Sequence, residues 1–403
     1  MQTNIPASLL NTADGQEANR ILRSCVHCGF CNATCPTYQQ LGDELDGPRG
    51  RIYLIKDMLE GGAVSATTQQ HLDRCLSCRS CESTCPSGVE FTHLADIGKA
   101  MLEDKVQRPL GQRLLRKLLL NILPYRKRFS SLLNVARIVK PILPTHWRDQ
   151  LPDKPKQIKA PFPKIQHQRH ILLIEGCVQP ALAPHIDSAT AHVLDQLGIS
   201  SQRTHIAQCC AAIEHHGHAK DAALNRLRSN IDLWLPYLEQ GAEAIISSAS
   251  ACTLQIKEYA YLLRNDADYA EKATRISAAC RDISEFIASE DLSRLKSTRR
   301  KSVAFHAPCS LQHGQKINGV VEDILLRVGY NLCPVADAHL CCGSAGTYAI
   351  LEAELSTTLR NNKLTALTKA QPDIIASANI GCLHHLAAGS NHNIRHWIEL
   401  LAP

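Results

Sequence analysis

The sequence predicts a chain of mixed class, α followed by α/β: a helical N-terminal module and then two pseudo-symmetric α/β units. Three observations predict it. Eight of the 18 cysteines form two copies of one short pattern before residue 90. Eight more form a twinned long pattern beyond residue 170. Each half of that long pattern sets short apolar runs of strand length beside segments with helical spacing. The 403 residues, 44% hydrophobic and 20% charged, suffice for about two or three domains. Disorder, a collagen repeat and a coiled-coil rod are excluded. The expected divisions are 1–104, 105–165, 166–295 and 296–403.

A chain this long does not need disulfides in place of a core, and thiols crowded in short windows serve metal or redox chemistry in a reducing compartment. The lead MQTNIPASLLNTADGQEANR carries Asp14 and Glu17 and no apolar segment. It is expected to be neither a secretory signal nor a transit peptide, which indicates a cytoplasmic protein. No window approaches the roughly 18 apolar residues of a membrane span.

The first eight cysteines read Cys25-x-x-Cys28-x-x-Cys31-x-x-x-Cys35-Pro36 and, fifty residues on, Cys75-x-x-Cys78-x-x-Cys81-x-x-x-Cys85-Pro86. Three thiolates at two-residue gaps wrap three corners of a cubane. In two-cluster ferredoxins the fourth Cys, the one before proline, ligates the other cluster. That wiring assigns Cys25, Cys28, Cys31 and Cys85 to one [4Fe-4S] cluster and Cys75, Cys78, Cys81 and Cys35 to a second. Structural zinc is the alternative, since CxxC is also a zinc element. Zinc takes four ligands in all, however, and the runs supply eight in ferredoxin order. Pro36 and Pro86 are expected to turn the chain away, and Gly29 and Ser80 to permit the tight turn or donate to cluster sulfur. A complete cysteine set leaves His27 no coordination place. Between the runs, Gly47-Pro48-Arg49-Gly50-Arg51 predicts a turn anchored by its arginines, leading into a helix over Ile52 to Leu59. A helix set between cluster runs resembles the helical ferredoxin module of succinate dehydrogenase and heterodisulfide reductase subunits.

Residues 105–169 hold 16 Lys and Arg against Asp149 and Asp153, a local charge of +14 in a chain whose total is +6. Leu114, Leu115, Leu118 and Leu119 beside Arg113, Arg116 and Lys117 predict an amphipathic helix with a basic face. Pro-rich sequence follows from Pro141 to Pro163. Three readings compete for residues 108–140: peripheral contact with an anionic membrane, docking on an acidic partner subunit, or a solvated helix whose leucines cover the protein's own core. Nucleic acid is not expected as a partner, because no aromatic interleaving or binding motif accompanies the charge.

The second pattern has a long period. Cys177 precedes the doublet Cys209-Cys210 by 32 residues, and Cys309 precedes Cys341-Cys342 by the same 32. Cys252 then follows 42 residues after Cys210, and Cys382 follows 40 after Cys342. Apolar runs at 170–175 and 302–306 end just before the first Cys of each half, and those at 244–248 and 373–377 end before the last. All four predict buried strands. Helical spacing marks 187–197 and 320–328. A strand, ligand loop and helix repeated in this way predict paired α/β units with their sites at the carboxyl ends of strands. Cys280 and Cys333 fall outside the pattern and are expected to pack. His215, His216, His218, His306 and His313 show no metal-ligand spacing and read as residues that face solvent, hydrogen-bond or support a ligand from behind, rather than as ligands.

These halves, the second with Cys342-Gly343, resemble the CCG, or cysteine-rich, domain found in heterodisulfide reductase. A two-cluster module fused ahead of two such halves resembles the iron–sulfur subunit of glycolate oxidase, with the related subunits of lactate-utilisation enzymes and anaerobic glycerol-3-phosphate dehydrogenase. Within that group, GDELDGPRGRIYLIK and the lead MQTNIP are most similar to the glycolate oxidase subunit. The family ends each half with CxxC, whereas here Gln255 follows Cys252 at the third place and His385 follows Cys382. The fifth thiol is thus absent from both halves, and the first doublet reads Cys209-Cys210-Ala211. Cys177, Cys209, Cys210, Cys252, Cys309, Cys341, Cys342 and Cys382 remain as expected ligands of a further iron–sulfur cluster or another metal. His384 and His385 stand where the family has its last Cys.

No GxGxxG after a strand, P-loop or nucleophile elbow occurs, so no nicotinamide, flavin or ATP site of the chain's own is expected, and no catalytic residue is assigned. The resemblance implies an electron-transfer subunit of an oxidoreductase complex. A partner FAD subunit, with a second flavin-type subunit, would oxidise glycolate, or D-lactate, and electrons would pass through the clusters to quinone or another acceptor at the cytoplasmic face of the inner membrane. Two other classes stay open: CCG halves that themselves reduce a disulfide or quinone, and a ferredoxin fused to a zinc-binding scaffold.

Overall fold

The structure, a computed structural model, describes residues 1–142, 160–204, 206, 209–295 and 301–402. Most of the Pro-rich stretch therefore lies outside the described residues.

The N-terminal module is built from helices, and each cysteine run follows directly on one. The helix Ala13–Ser24 is capped by Thr12, whose Oγ1 accepts from the Gly15 amide at 3.0 Å, and ends at Cys25. The helix Ala66–Asp73 opens with a reciprocal Ser65 and Thr68 cap and stops just before Cys75. Short helices, Phe30–Ala33 and Ser80–Thr84, carry the third cysteine of each run, Cys31 and Cys81. The module closes on a core of Ile21, Leu22, Ile55, Met58, Leu59, Leu72, Leu94 and Leu102.

The expected turn at 47–51 is instead the first turn of the helix Pro48–Leu59, with Gly47 as its N-cap. Proline suits a first helical position because its missing N–H would have no partner there. Gly50 is required by close approach: a Cβ would stand 2.1 Å from the Glu44 carbonyl oxygen. Arg51 is buried and donates from Nε to the His71 carbonyl at 2.8 Å and from a terminal nitrogen to Thr37 Oγ1 at 3.1 Å. Asp46, fully buried, faces Arg51 at 3.5 Å, Arg74 at 2.9 Å and the His71 ring at 3.1 Å. The Arg49 side chain pairs with Glu44 at 2.6 Å. Pro36 likewise opens a helix, Pro36–Leu41, rather than simply deflecting the chain.

The rest of the chain forms two sheets of one topology. Strands β1 (Arg169–Leu173), β2 (Ile199–Arg203), β3 (Ile245–Ser247) and β4 (Cys280–Asp282) lie in the order β2-β1-β3-β4. Strands β5 (Ser302–His306), β6 (Asn331–Leu332), β7 (Ile374–Ser377) and β8 (Ile394–His396) lie in the order β6-β5-β7-β8. Every pairing is parallel, which requires both faces to be covered. On β1, Ile171 and Leu173 enter a core shared with Val303 and Phe305 of β5, while Leu172 packs toward Trp234. The two units are thus welded back to back. His396 Nε2 and the Ser248 carbonyl lie 2.9 Å apart across the seam.

The basic connector forms two helices, Leu110–Ile122 and Arg126–Val139. Packing on the protein covers this apolar face only in part: Leu115 and Leu119 are half-buried, Leu110, Leu114 and Leu118 are 80%, 71% and 52% exposed, and only Leu133 is buried in the two helices. Among the described residues no helix is long and apolar enough to cross a membrane.

Removing one partner of a buried ion pair leaves the other charge uncompensated, at a cost of about 3–5 kcal/mol. Asp46→Ala should destabilise the N-terminal module by that amount, read as a lowered denaturant midpoint with unchanged slope. A shift under about 1 kcal/mol would show that solvent compensates Arg51.

Candidate functional site

The two N-terminal runs share an unusual backbone. His27 and Gly29 have φ of +58° and +82°, and fifty residues on Ser77 and Arg79 have +50° and +60°. This left-handed pair curls each run so that its sulfurs face one point. Arg79, not Ser80, thus occupies the turn position that matches Gly29, and Ser80 is buried at the start of its helix. One small gap is bordered by Cys25, Cys28, Cys31, Cys81 and Cys85, and a second by Cys35, Cys75, Cys78 and Cys81. Cys81 touches both, but the thiols that act on its sulfur are Cys78, Cys75 and Cys35. Burial pushes the Cys31 thiol up to about 11, with Cys25, Cys85 and Cys28 adding to the effect. The structure therefore gathers Cys25, Cys28, Cys31 and Cys85 in one place, and Cys35, Cys75, Cys78 and Cys81 in another.

The cysteines of the α/β units sit at the carboxyl ends of strands. Cys177 and Cys309 follow β1 and β5, while Cys252 and Cys382 lie in the helices Ser250–Lys257 and Ile380–Ala387 that follow β3 and β7. In the first unit Cys177 Sγ stands 3.4 Å from Cys209 Sγ, and Cys210 and Cys252 follow as neighbouring thiols in the same line. In the second, the same order of neighbouring thiols runs from Cys309 to Cys341, Cys342 and Cys382. Ala211 stands in the left-handed region at φ +69°, as Gly343 does at +88°. The first doublet therefore keeps the turn despite lacking glycine, at a conformational cost of about 1–2 kcal/mol. Cys280 packs beside Trp234 and Cys333 against the second unit's core. The His385 ring bonds to Ser356, 3.2 Å from its Oγ, and Gln255 faces the His215 ring at 3.3 Å, so neither residue that replaces the family's last Cys turns toward the sulfurs.

The two sets of thiols meet. Cys309 has Cys341 and Cys78 as neighbouring thiols at one junction, and these with burial hold its thiol far above the ordinary range. Leu76, Tyr348 and Leu359 close the junction around Cys78, Cys309 and Cys341. Ser83 Oγ lies 3.0 Å from His313 Nδ1 of the second unit, and Glu258 of the first unit receives Arg79 at 2.7 Å and His93 at 2.9 Å. Burial opposes ionisation of Glu258, but His93 and Arg79 hold it down to about 2. A cavity of about 240 Å³ opens beside this junction, lined among others by Cys75, Cys78, Cys309, Cys341, Cys382, His216 and Tyr348. Near it Asp96 faces His215 at 3.7 Å and His216 at 3.5 Å. Sequence spacing held no sign of Asp96, Glu258 or Tyr348, because their partners lie in other modules.

The 4Fe-4S dicluster domain family matches residues 21–89, and the cysteine-rich domain family matches residues 171–257 and 303–387. The glycolate oxidase iron-sulfur subunit of Escherichia coli (strain K12) is 51% identical over 401 residues, covering 100% of this chain and 98% of that relative. The chain belongs to the family of glycolate oxidase iron–sulfur subunits. A probable glycolate oxidase iron-sulfur subunit of Bacillus subtilis (strain 168) is 26% identical and covers 91% of this chain and 89% of its own length. Lactate utilization protein A of Bacillus licheniformis (strain ATCC 14580) is 24% identical over 54% of this chain and 90% of its own length.

Two [4Fe-4S] clusters are the cofactors of the dicluster module. Its donor set suits them: each gathering offers four thiols, and no carboxylate lines either gap. His27 borders the first gap, with its ring packed against Tyr53 at 4.4 Å. When bound, such clusters take up and release one electron each. The chain contributes the thiols, burying Cys25, Cys35 and Cys81 and leaving Cys28 exposed, and sets one run beside the next group of thiols.

Proposed function

We propose that this chain is the electron-transfer subunit of a flavin-dependent complex that oxidises glycolate to glyoxylate. A partner flavoprotein accepts the hydride, releasing two electrons and two protons per glycolate, and this chain carries the electrons away singly. Family membership supports the substrate. The observation that carries the relay is the placing of Cys78 and Cys309 at one junction, which brings the dicluster thiols beside those of the second α/β unit. In this reading Cys25, Cys28, Cys31 and Cys85 hold one cluster, and Cys75, Cys78, Cys81 and Cys35 the other. Cys177, Cys209, Cys210 and Cys252, with Cys309, Cys341, Cys342 and Cys382, are metal ligands of the two units. An FAD subunit and a second flavin-type subunit deliver electrons, and a quinone or another small oxidant receives them at the junction cavity.

The crossed wiring makes a pairwise prediction. Cys85→Ser and Cys25→Ser should remove the same EPR signal of the reduced protein, and Cys35→Ser and Cys75→Ser the other. Shared loss between Cys85→Ser and Cys75→Ser rejects the assignment.

The complex co-purified with its flavoprotein partners should reduce dye with glycolate, and Cys78→Ser should lower that rate at least tenfold. Turnover with D-lactate or glycerol 3-phosphate but not glycolate would reassign the substrate and leave the relay in place.

The connector is assigned to an anionic membrane surface. Exposed Leu110, Leu114 and Leu118 stand beside Arg113 and Lys117, and basic residues near such a surface contribute about 1 kcal/mol each. The protein should sediment with phosphatidylglycerol-containing vesicles at low salt and be released at high salt, and Leu114→Glu with Leu118→Glu should abolish sedimentation. Equal sedimentation of the double variant would return the helix to a role in docking a partner protein.

A further inference from the structure

We propose that His306 is a metal ligand, completing with Cys342 and Cys382 a site in the second α/β unit for a thiophilic transition metal, zinc or the iron of a cluster. It deepens the reading above and rests on the assignment of Cys342 and Cys382 as ligands.

His306 ends β5 and is 1% exposed. Neither of its ring nitrogens has a hydrogen-bond partner among the described residues. A buried polar atom left unpaired costs about 1–3 kcal/mol, and two other histidines buried at the seam and junction avoid that cost. His396 meets the Ser248 carbonyl at 2.9 Å, and His313 meets both Ser83 and the His339 carbonyl. His306 instead presents a ring nitrogen to the Cys342 and Cys382 sulfurs, all three ligand atoms lying within 4.8 Å of one another. Around a tetrahedral ion with bonds of about 2.0–2.3 Å, ligand atoms stand about 3.4–3.8 Å apart, so a small contraction closes the site.

The surroundings suit thiolates bound to metal. Asn379 Nδ2 donates to Cys382 Sγ at 3.6 Å. Lys363 is buried, donates to the Asp337 carbonyl at 2.7 Å, and places its charge within reach of Cys309, Cys341 and Cys342. Such outer contacts orient ligands and compensate their charge. Binding would release the Cys342 and Cys382 thiol protons to solvent, while neutral His306 donates a lone pair and no electron is transferred.

Pseudo-symmetry makes His306 specific to one unit. It stands three residues before Cys309, whereas Ile174 stands three before Cys177. The second unit has lost the family's fifth thiol, and His385, at that place in sequence, is turned to Ser356. His306 restores a fifth donor from the end of β5, and the first unit has an apolar residue at the equivalent position.

The test is metal content of the full-length protein purified anaerobically, counted above the eight irons of two [4Fe-4S] clusters. Wild type should hold a surplus of zinc or iron. His306→Ala should lose the part bound in the second unit, as Cys382→Ser does, while His306→Cys retains it and Cys252→Ser leaves it in place. A nitrogen ligand should be visible in the wild type, as an X-ray absorption shell if the surplus is zinc or a ¹⁴N coupling in pulsed EPR if it is iron, and absent from His306→Cys. Should His306→Ala fail to fold, His306→Gln, which keeps volume and polarity, gives the same comparison. No surplus in wild type, or a surplus and nitrogen signal unchanged in both His306→Ala and His306→Gln, overturns the proposal. Glycolate-dependent dye reduction on the same wild-type preparation separates the two readings: its absence beside an intact metal result removes the substrate and leaves the site standing.

Discussion

The meeting of Cys78 and Cys309 at one junction is the constraint on which the rest of this molecule depends. A cluster run is useful to a relay only if its sulfurs approach the next group closely, and that approach requires three modules to be held in register. The Glu258 contacts with Arg79 and His93 hold the dicluster module to the first α/β unit, and Ser83 with His313 hold it to the second. Leu76 and Tyr348 pack at the junction between them. The buried Asp46 and Arg51 network then stiffens the module behind its cysteines, linking the helix Pro48–Leu59 to the segment that leads into Cys75.

Pseudo-symmetry supplies a scaffold and divergence supplies function. Both α/β units carry the same strand order and the same line of thiols, because ligands at the carboxyl ends of parallel strands need only short loops to converge. Among the described residues it is the second unit that meets the dicluster module through its thiols, and the second that offers a buried unpaired imidazole among them. The first unit turns its His215 and His216 toward Asp96 instead. Equivalent folds thus face different neighbours, and their polar residues differ accordingly.

Much of the architecture was legible in the chain. The repeated cysteine spacings marked out the modules. The runs at 302–306 and 373–377 became β5 and β7 almost residue for residue, since buried parallel strands are written as short continuous apolar stretches. The helix beginning at Pro48 reads locally as a turn because Gly-Pro and a second glycine signal a loop. Tertiary contact decided otherwise: Gly50 lies against the Glu44 backbone, and Arg51 has buried partners that only the folded module provides.

The sequence by itself determined which residues are chemically equipped and how many sets they form, because a thiol's capacity to bind metal is a property of the side chain and its spacing along the chain. Which set touches which was decided by the tertiary structure alone. Cys78 and Cys309, Glu258 and Arg79, and His306 with Cys382 are brought together by sheet topology and module docking, and no local periodicity encodes distances across those interfaces. Histidine shows this most clearly. By spacing His306 resembled His313, and burial without a hydrogen-bond partner is what sets it apart.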